Sequence, residues 1–94
     1  MNIQQEDNGK NGKFFIEIDG NQVAEMTYNY AGTDKIIIDH TEVNESLKGQ
    51  GIGYKLVEAS VAFLRDKNLK VVPLCPFANA VFKKKAKEYS DVMF

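Results

Sequence analysis

Three glycines stand at alternate positions in Lys48-Gly-Gln-Gly51-Ile-Gly53-Tyr54, directly ahead of a run with helical spacing. Glycine weakens a helix, so its repetition at a helix start needs another reason. The first backbone N–H groups of a helix lack intrahelical partners, and the helix dipole is positive there. Glycines let such a backbone take positive φ angles and come close to a ligand, so Lys48–Tyr54 is a candidate cradle for a phosphate. Two nucleotide patterns are excluded. No glycine falls three positions after Gly51, as a dinucleotide fingerprint requires, and no Gly-Lys-Ser or Gly-Lys-Thr follows. His40, the only histidine, is the side-chain type whose unperturbed pKa of about 6.5 suits a general base near neutrality. Cys75, the only thiol, is a candidate nucleophile, and it reads equally as a small buried hydrophobe. Lys83-Lys-Lys85 with Lys87 reads as the solvated face of a helix, or as a contact for a further anion.

The elements that must position these groups follow from the periods of the chain. Lys13–Ile18 and Gln22–Tyr30 are rich in β-branched and aromatic residues, and Asp19-Gly-Asn21 between them is a hairpin signal. Ala31-Gly-Thr-Asp34 turns into Lys35–Val43, whose isoleucine run predicts a central strand covered on both faces. His40 then lies near the C-terminal end of that strand, where open α/β sheets bind ligands. From Ile52 the period becomes helical: Ile52, Leu56, Ala59 and Phe63 make one stripe, widened by Val57, Val61 and Leu64, with Asn68 as the stop. Lys70–Cys75 reads as a strand parallel to Lys35–Val43 because a helical crossover connects them. Pro73 cannot donate to a ladder, which places it where this strand is not fully paired or at an edge. Pro76 opens a last helix over 77–88, and Ser90–Phe94 suggests a short final strand.

Composition sets the frame around these elements. The 94 residues make one soluble α/β (α+β) domain over 13–94, preceded by a polar, flexible segment 1–12. Twelve basic against thirteen acidic residues give a formal net charge of -1, so no global field recruits nucleic acid or a membrane. A single Cys and a single His predict neither an internal disulfide nor a structural zinc site. The opening Met1–Gly12 lacks the apolar stretch of a signal peptide, and the expectation is a cytoplasmic protein, a monomer or weak dimer.

Lys48-Gly-Gln-Gly51-Ile-Gly53 resembles the coenzyme A pyrophosphate loop of the GNAT acetyltransferases, Arg/Gln-x-x-Gly-x-Gly/Ala, with Lys48 at the position usually held by Arg or Gln. Val43, five residues upstream, matches the last residue of the family's central strand. The resemblance covers about 13–94. It implies a GNAT-like fold: an N-terminal antiparallel meander, a central parallel strand pair splayed to admit coenzyme A, and two helices. The implied donor is acetyl-CoA, bound through Thr41 and Val43 backbone groups and through Lys48, Gly49, Gln50, Gly51, Ile52, Gly53 and Tyr54. The implied reaction is acetyl transfer to an unidentified amine, with His40 and Cys75 as the catalytic candidates and a His40–Cys75 pair as one route, through an acetyl-cysteine. Two departures stand out. The helices that usually shape the acceptor site are replaced by the bare turn Asp19-Gly-Asn21, which leaves room for a large acceptor. Lys83 falls where the family has the Tyr that protonates the departing thiolate. Together with Asp39-His-Thr41 and Cys75-Pro-Phe-Ala78, these omissions resemble the very short, single-domain GNAT-like subfamily. They leave open an alternative, a carrier or sensor module that binds acetyl-CoA with little or no turnover.

Overall fold

The computed structural model describes residues 2–94. Strands β1 (Gln4–Asp7), β2 (Asn11–Ile18), β3 (Asn21–Ala31) and β4 (Lys35–Val43) form an antiparallel meander. Helix α1 (Ile52–Lys67) then crosses over to β5 (Lys70–Pro73), which pairs in parallel with β4. The sheet order is the chain order, β1 to β5. Helices α2 (Pro76–Lys84) and α3 (Ala86–Tyr89) complete the chain.

Local chemistry accounts for most boundaries. Asp19 and Gly20 have φ of 52° and 79°, so the β2–β3 turn has positive φ at both central positions, which matches the twist of a tight hairpin. α1 stops at Asn68, in the left-handed conformation at φ 56°. Pro76 opens α2, where its missing N–H costs nothing. The helix predicted over 77–88 breaks at Lys85, whose φ of -107° lies outside the helical range. The final strand reduces to one parallel bridge between Val71 and Met93, which covers the outer edge of β5.

The core lies on one side of the sheet. Phe14, Met26, Tyr28, Ile36 and Ile38 meet Leu56, Val57 and Leu64 of α1 and Ala78 and Phe82 of α2 in a single cluster. The opposite face carries Lys13, Glu25, Thr27, Glu42 and His40, and among the described residues no helix lies over it. This corrects the expectation of a doubly covered central strand: Ile36 and Ile38 are fully buried, but Ile37 between them is only half-buried. Both helices are used on one face, so the isoleucine run is shielded on the other only by neighbouring side chains.

Residues 4–12 depart from the flexible segment read from their polarity, since they supply β1 and the start of β2. Their anchor is polar. The Asp7 carboxylate accepts hydrogen bonds from Tyr28 Oη and Tyr30 Oη, each at 2.6 Å, and from the Gly9 N–H at 2.8 Å. Burial alone would raise the Asp7 pKa, but the tyrosine and backbone donors outweigh it and hold it below the ordinary 3.8. Tyr30 is pushed up to about 12, by burial first and then by Asp7, and Tyr28 is raised by the same causes.

A carboxyl whose folded pKa lies below its unfolded value stabilises the fold above the unfolded value and loses that contribution as pH falls through the folded one. Asp7→Asn should therefore cost roughly 1 kcal/mol at neutral pH, the low end for a charged acceptor because Asp7 is open to water. The difference from the parent in urea unfolding should shrink below pH 3.8. A constant difference from pH 7 to pH 2 would show that the carboxylate charge is not what fastens β1.

Candidate functional site

The site begins where a ladder ends. β4 and β5 pair from Lys35↔Lys70 to Ile38↔Pro73, and the Ile38 carbonyl then accepts both the Leu74 N–H at 2.9 Å and the Cys75 N–H at 3.0 Å. There α2 turns away, while β4 continues to Val43. Five residues of β4 thus run on beside a gap, with Pro73 at the last paired position.

Which groups face the gap is decided by a bulge. Thr27 pairs with His40 and Tyr28 with Ile38, so Asp39 is an extra residue in β4. The Asn44 N–H donates to the Val23 carbonyl on the β3 side. Counting back by twos, Glu42 and His40 also face β3, so the backbone groups of Val43 and Thr41 point into the gap. An unbulged strand, alternating regularly from Ile38, would present His40 and Glu42 on that edge instead.

The bulge also fixes the side chains. Thr41 pairs with the fully buried Met26 and therefore lies on the helix-covered face. Its Oγ1 accepts from Cys75 Sγ at 3.3 Å. His40 pairs with Thr27 on the open face, where its Nε2 is 3.4 Å from Glu42 Oε2 and 4.0 Å from Glu25 Oε2. His40 and Cys75 are thus on opposite faces of the sheet, and the structure does not bring them together as a pair. Cys75 is buried at 5% exposure, whereas the His40 side chain is 54% exposed. Glu25, His40 and Glu42 hold three ligand-type atoms within 4.8 Å of one another, and no ion is needed to explain them.

Across the gap stands the glycine loop. Gly49 and Gly51 have φ of 83° and 72°, and a Cβ at either would meet nothing, so both are required by backbone conformation. Gly51 is the N-cap of α1 and supplies no side-chain cap, and the first turn contains no acidic residue. The first intrahelical bond runs from Lys55 N–H to the Gly51 carbonyl, which leaves the N–H groups of Ile52, Gly53 and Tyr54 for an external anion. Gly53 has a different role: it lies inside α1, and a Cβ there would overlap the Phe77 ring. Phe77 in turn meets Tyr54 edge to face at 6.0 Å. Lys48 is tied to Glu45 at 3.1 Å.

Thr41, Val43, Lys48, Gly49, Gly51, Ile52, Gly53 and Tyr54 line one cleft of about 640 Å³. Of the residues singled out in the sequence for coenzyme binding, Gln50 is absent from its wall. Leu47, Glu42 and Phe77 complete the lining. Phe77 had a sequence signal, a glycine inside the helix opposite it, but the partner of that glycine is visible only in the fold.

A family model described as GCN5-related N-acetyl-transferase matches residues 13–92. Among relatives, Protein NATD1 of Xenopus tropicalis is 30% identical over 78% of this chain and 68% of its own length. The Gallus gallus protein of that name is 31% identical over 78% and 67%. A GCN5-like protein from Staphylococcus aureus, solved by NMR, superposes with a TM-score of 0.77 at 39% identity, covering 99% of this chain and 87% of that one. A GNAT family acetyltransferase from Elizabethkingia anophelis, crystallised with acetyl-CoA bound, superposes at 0.64 over 82% of this chain and 53% of its own, and at 15% identity supports the fold alone.

The two kinds of glycine can be separated by stability. Gly51→Ala should cost about 1 kcal/mol, because alanine must occupy the left-handed region. Gly53→Ala should also destabilise, although Ala in a helix normally gains about 0.5–1 kcal/mol over Gly. In a Phe77→Ala background the Gly53→Ala cost should vanish or reverse. Equal costs in both backgrounds, measured by urea unfolding, would show that Phe77 is not the reason for Gly53.

Proposed function

Because the chain belongs to the GCN5-related N-acetyltransferase family, we propose that it binds acetyl-CoA in the cleft between β4 and the glycine loop and transfers the acetyl group to an amine. The observation that carries this reading is the alignment of two unsatisfied backbone surfaces on one cleft. The Thr41 and Val43 edge can pair with an extended amide-bearing arm, and the start of α1 can hold a diphosphate. The positive φ of Gly49 and Gly51 and the uncapped helix start fit such a group.

The chemistry assigned to the chain is proton handling and positioning. The acceptor amine approaches from the open face, where the Glu25 and Glu42 carboxylates attract its ammonium and His40 takes the proton. The free amine attacks the thioester carbonyl, forming the C–N bond as the C–S bond breaks, and coenzyme A leaves as its thiol. The Thr41 hydroxyl accepts from Cys75, which leaves its own hydrogen free to donate to the departing sulfur. Cys75 acts here as a positioning residue through Thr41, and transfer is direct. Burial of the thiol and its separation from His40 by β4 support this over an acetyl-cysteine route. The open face, with no helix enclosing it, suits an acceptor displayed on a larger molecule.

Calorimetry should detect binding of coenzyme A and acetyl-CoA. Gly51→Val should abolish it with near-native circular dichroism, and Lys48→Ala should change it little, since backbone donors persist when that side chain is removed. Binding of neither coenzyme by the parent would sink the assignment. Binding without amine-dependent thiol release from any primary amine supplied, small or peptide-borne, would favour a carrier or sensor.

Where turnover is measured, His40→Ala should lower kcat by about 10²–10⁴-fold, the range for a lost general base. Cys75→Ser should keep most of the activity, because serine can still donate to Thr41, whereas Cys75→Ala should be slower than Cys75→Ser. Mass spectrometry after incubation with acetyl-CoA should find Cys75 unmodified. A single acetyl group on Cys75, lost together with turnover in Cys75→Ser, would instead establish the covalent route.

A further inference from the structure

α2 ends at Lys84, and the chain turns at Lys85 before α3 begins at Ala86. Neighbouring residues of an unbroken helix point about 100° apart, and the break lets two consecutive lysines reach one ring. Lys84 Nζ lies 5.9 Å and Lys85 Nζ 5.8 Å from the centroid of Tyr54. The ion pairs among the described residues engage His40, Lys48, Arg65 and Lys67, and neither of these two lysines has one. Glu58, one turn beyond Tyr54 on α1, pairs with neither. Lys83 and Lys87 are exposed, but Lys85 is half-buried despite its charge.

Tyr54 is the third residue of α1 and part of the cleft wall. The two ammonium groups therefore gather beside the positive end of a helix, with no carboxylate in its first turn. Three like-signed groups held together without a counter-charge are stabilised by an added anion. The glycine loop is matched to a diphosphate. Coenzyme A carries one further anion, the phosphate monoester on the 3′ position of its ribose.

We propose that Lys84 and Lys85, seated on the Tyr54 ring, form a subsite for this 3′-phosphate and make the chain select coenzyme A over 3′-dephospho-coenzyme A. The inference rests on the reading of the cleft as an acyl-coenzyme A site. It assigns selectivity to the run of lysines at the α2–α3 break and leaves the backbone cradle as the main source of affinity. Ammonium–phosphate contacts at a partly exposed site are screened by salt, so the selectivity should be largest at low ionic strength.

Calorimetry with the two coenzymes tests it. The parent should bind coenzyme A about tenfold more tightly than the 3′-dephospho form at low salt, a difference of about 1.4 kcal/mol. In the Lys84→Ala/Lys85→Ala double variant the two Kd values should converge, with that for 3′-dephospho-coenzyme A close to its parent value. Lys84→Arg/Lys85→Arg should restore the preference, and 0.5 M salt should erase it in the parent. Equal binding of both coenzymes by the parent would overturn the subsite while leaving the cleft assignment intact. An equal loss of both in the double variant, with native circular dichroism, would overturn it too, because the lysines would then serve the diphosphate or the fold. Failure of the parent to bind either coenzyme would remove the cleft assignment and the subsite together.

Discussion

Buried or half-buried backbone groups need partners, and in this chain β4 has too few. Its ladder with β5 ends at Ile38 because Pro73 closes the pairing and α2 departs from Cys75. Beyond that point the Thr41 and Val43 peptide groups border a gap that no other strand fills. The glycine loop, the uncapped start of α1 and the Phe77–Tyr54 wall are arranged around this one unpaired edge. A sheet in which β4 and β5 stayed paired to their ends would have a continuous ladder and no cleft.

The Asp39 bulge gives the gap its chemistry. One extra residue reverses the alternation of β4 between Ile38 and Thr41, so a threonine hydroxyl enters the covered side and a histidine is turned to water. Asp39 itself is held by Thr27 Oγ1 at 2.5 Å and Asn29 Nδ2 at 2.8 Å, both on the open face. Those polar contacts from β3 help keep the extra residue where it is. The two faces of one strand thereby present different groups, Thr41 beside Cys75 on the helix side and His40 beside Glu25 and Glu42 on the open side.

Economy of length shapes the rest. Two helices and one short turn of helix cover a single face, and among the described residues no further helix lies on the other. β1 compensates at the far edge, where Asp7 joins the strand to Tyr28 and Tyr30. Tyr28 is 1% exposed and packs against Phe14 and Phe63, so the polar clip is continuous with the aromatic centre of the core.

Much of this was written in local chemistry. The strand periods, the Asp19-Gly20 turn, the Asn68 stop and the Pro76 start depend on residues within a few positions of one another, and sequence alone determined them. The same holds for the loop from Lys48 to Tyr54, because positive φ and helix-end donors are local properties. Contacts between distant segments were decided only by the tertiary structure. The segment holding β1 read as flexible because the hydroxyls that anchor it lie more than twenty residues away. The bulge at Asp39 has no local mark, yet it alone separates His40 from Cys75, since a pleated strand sends successive side chains to opposite faces and one inserted residue reassigns all that follow.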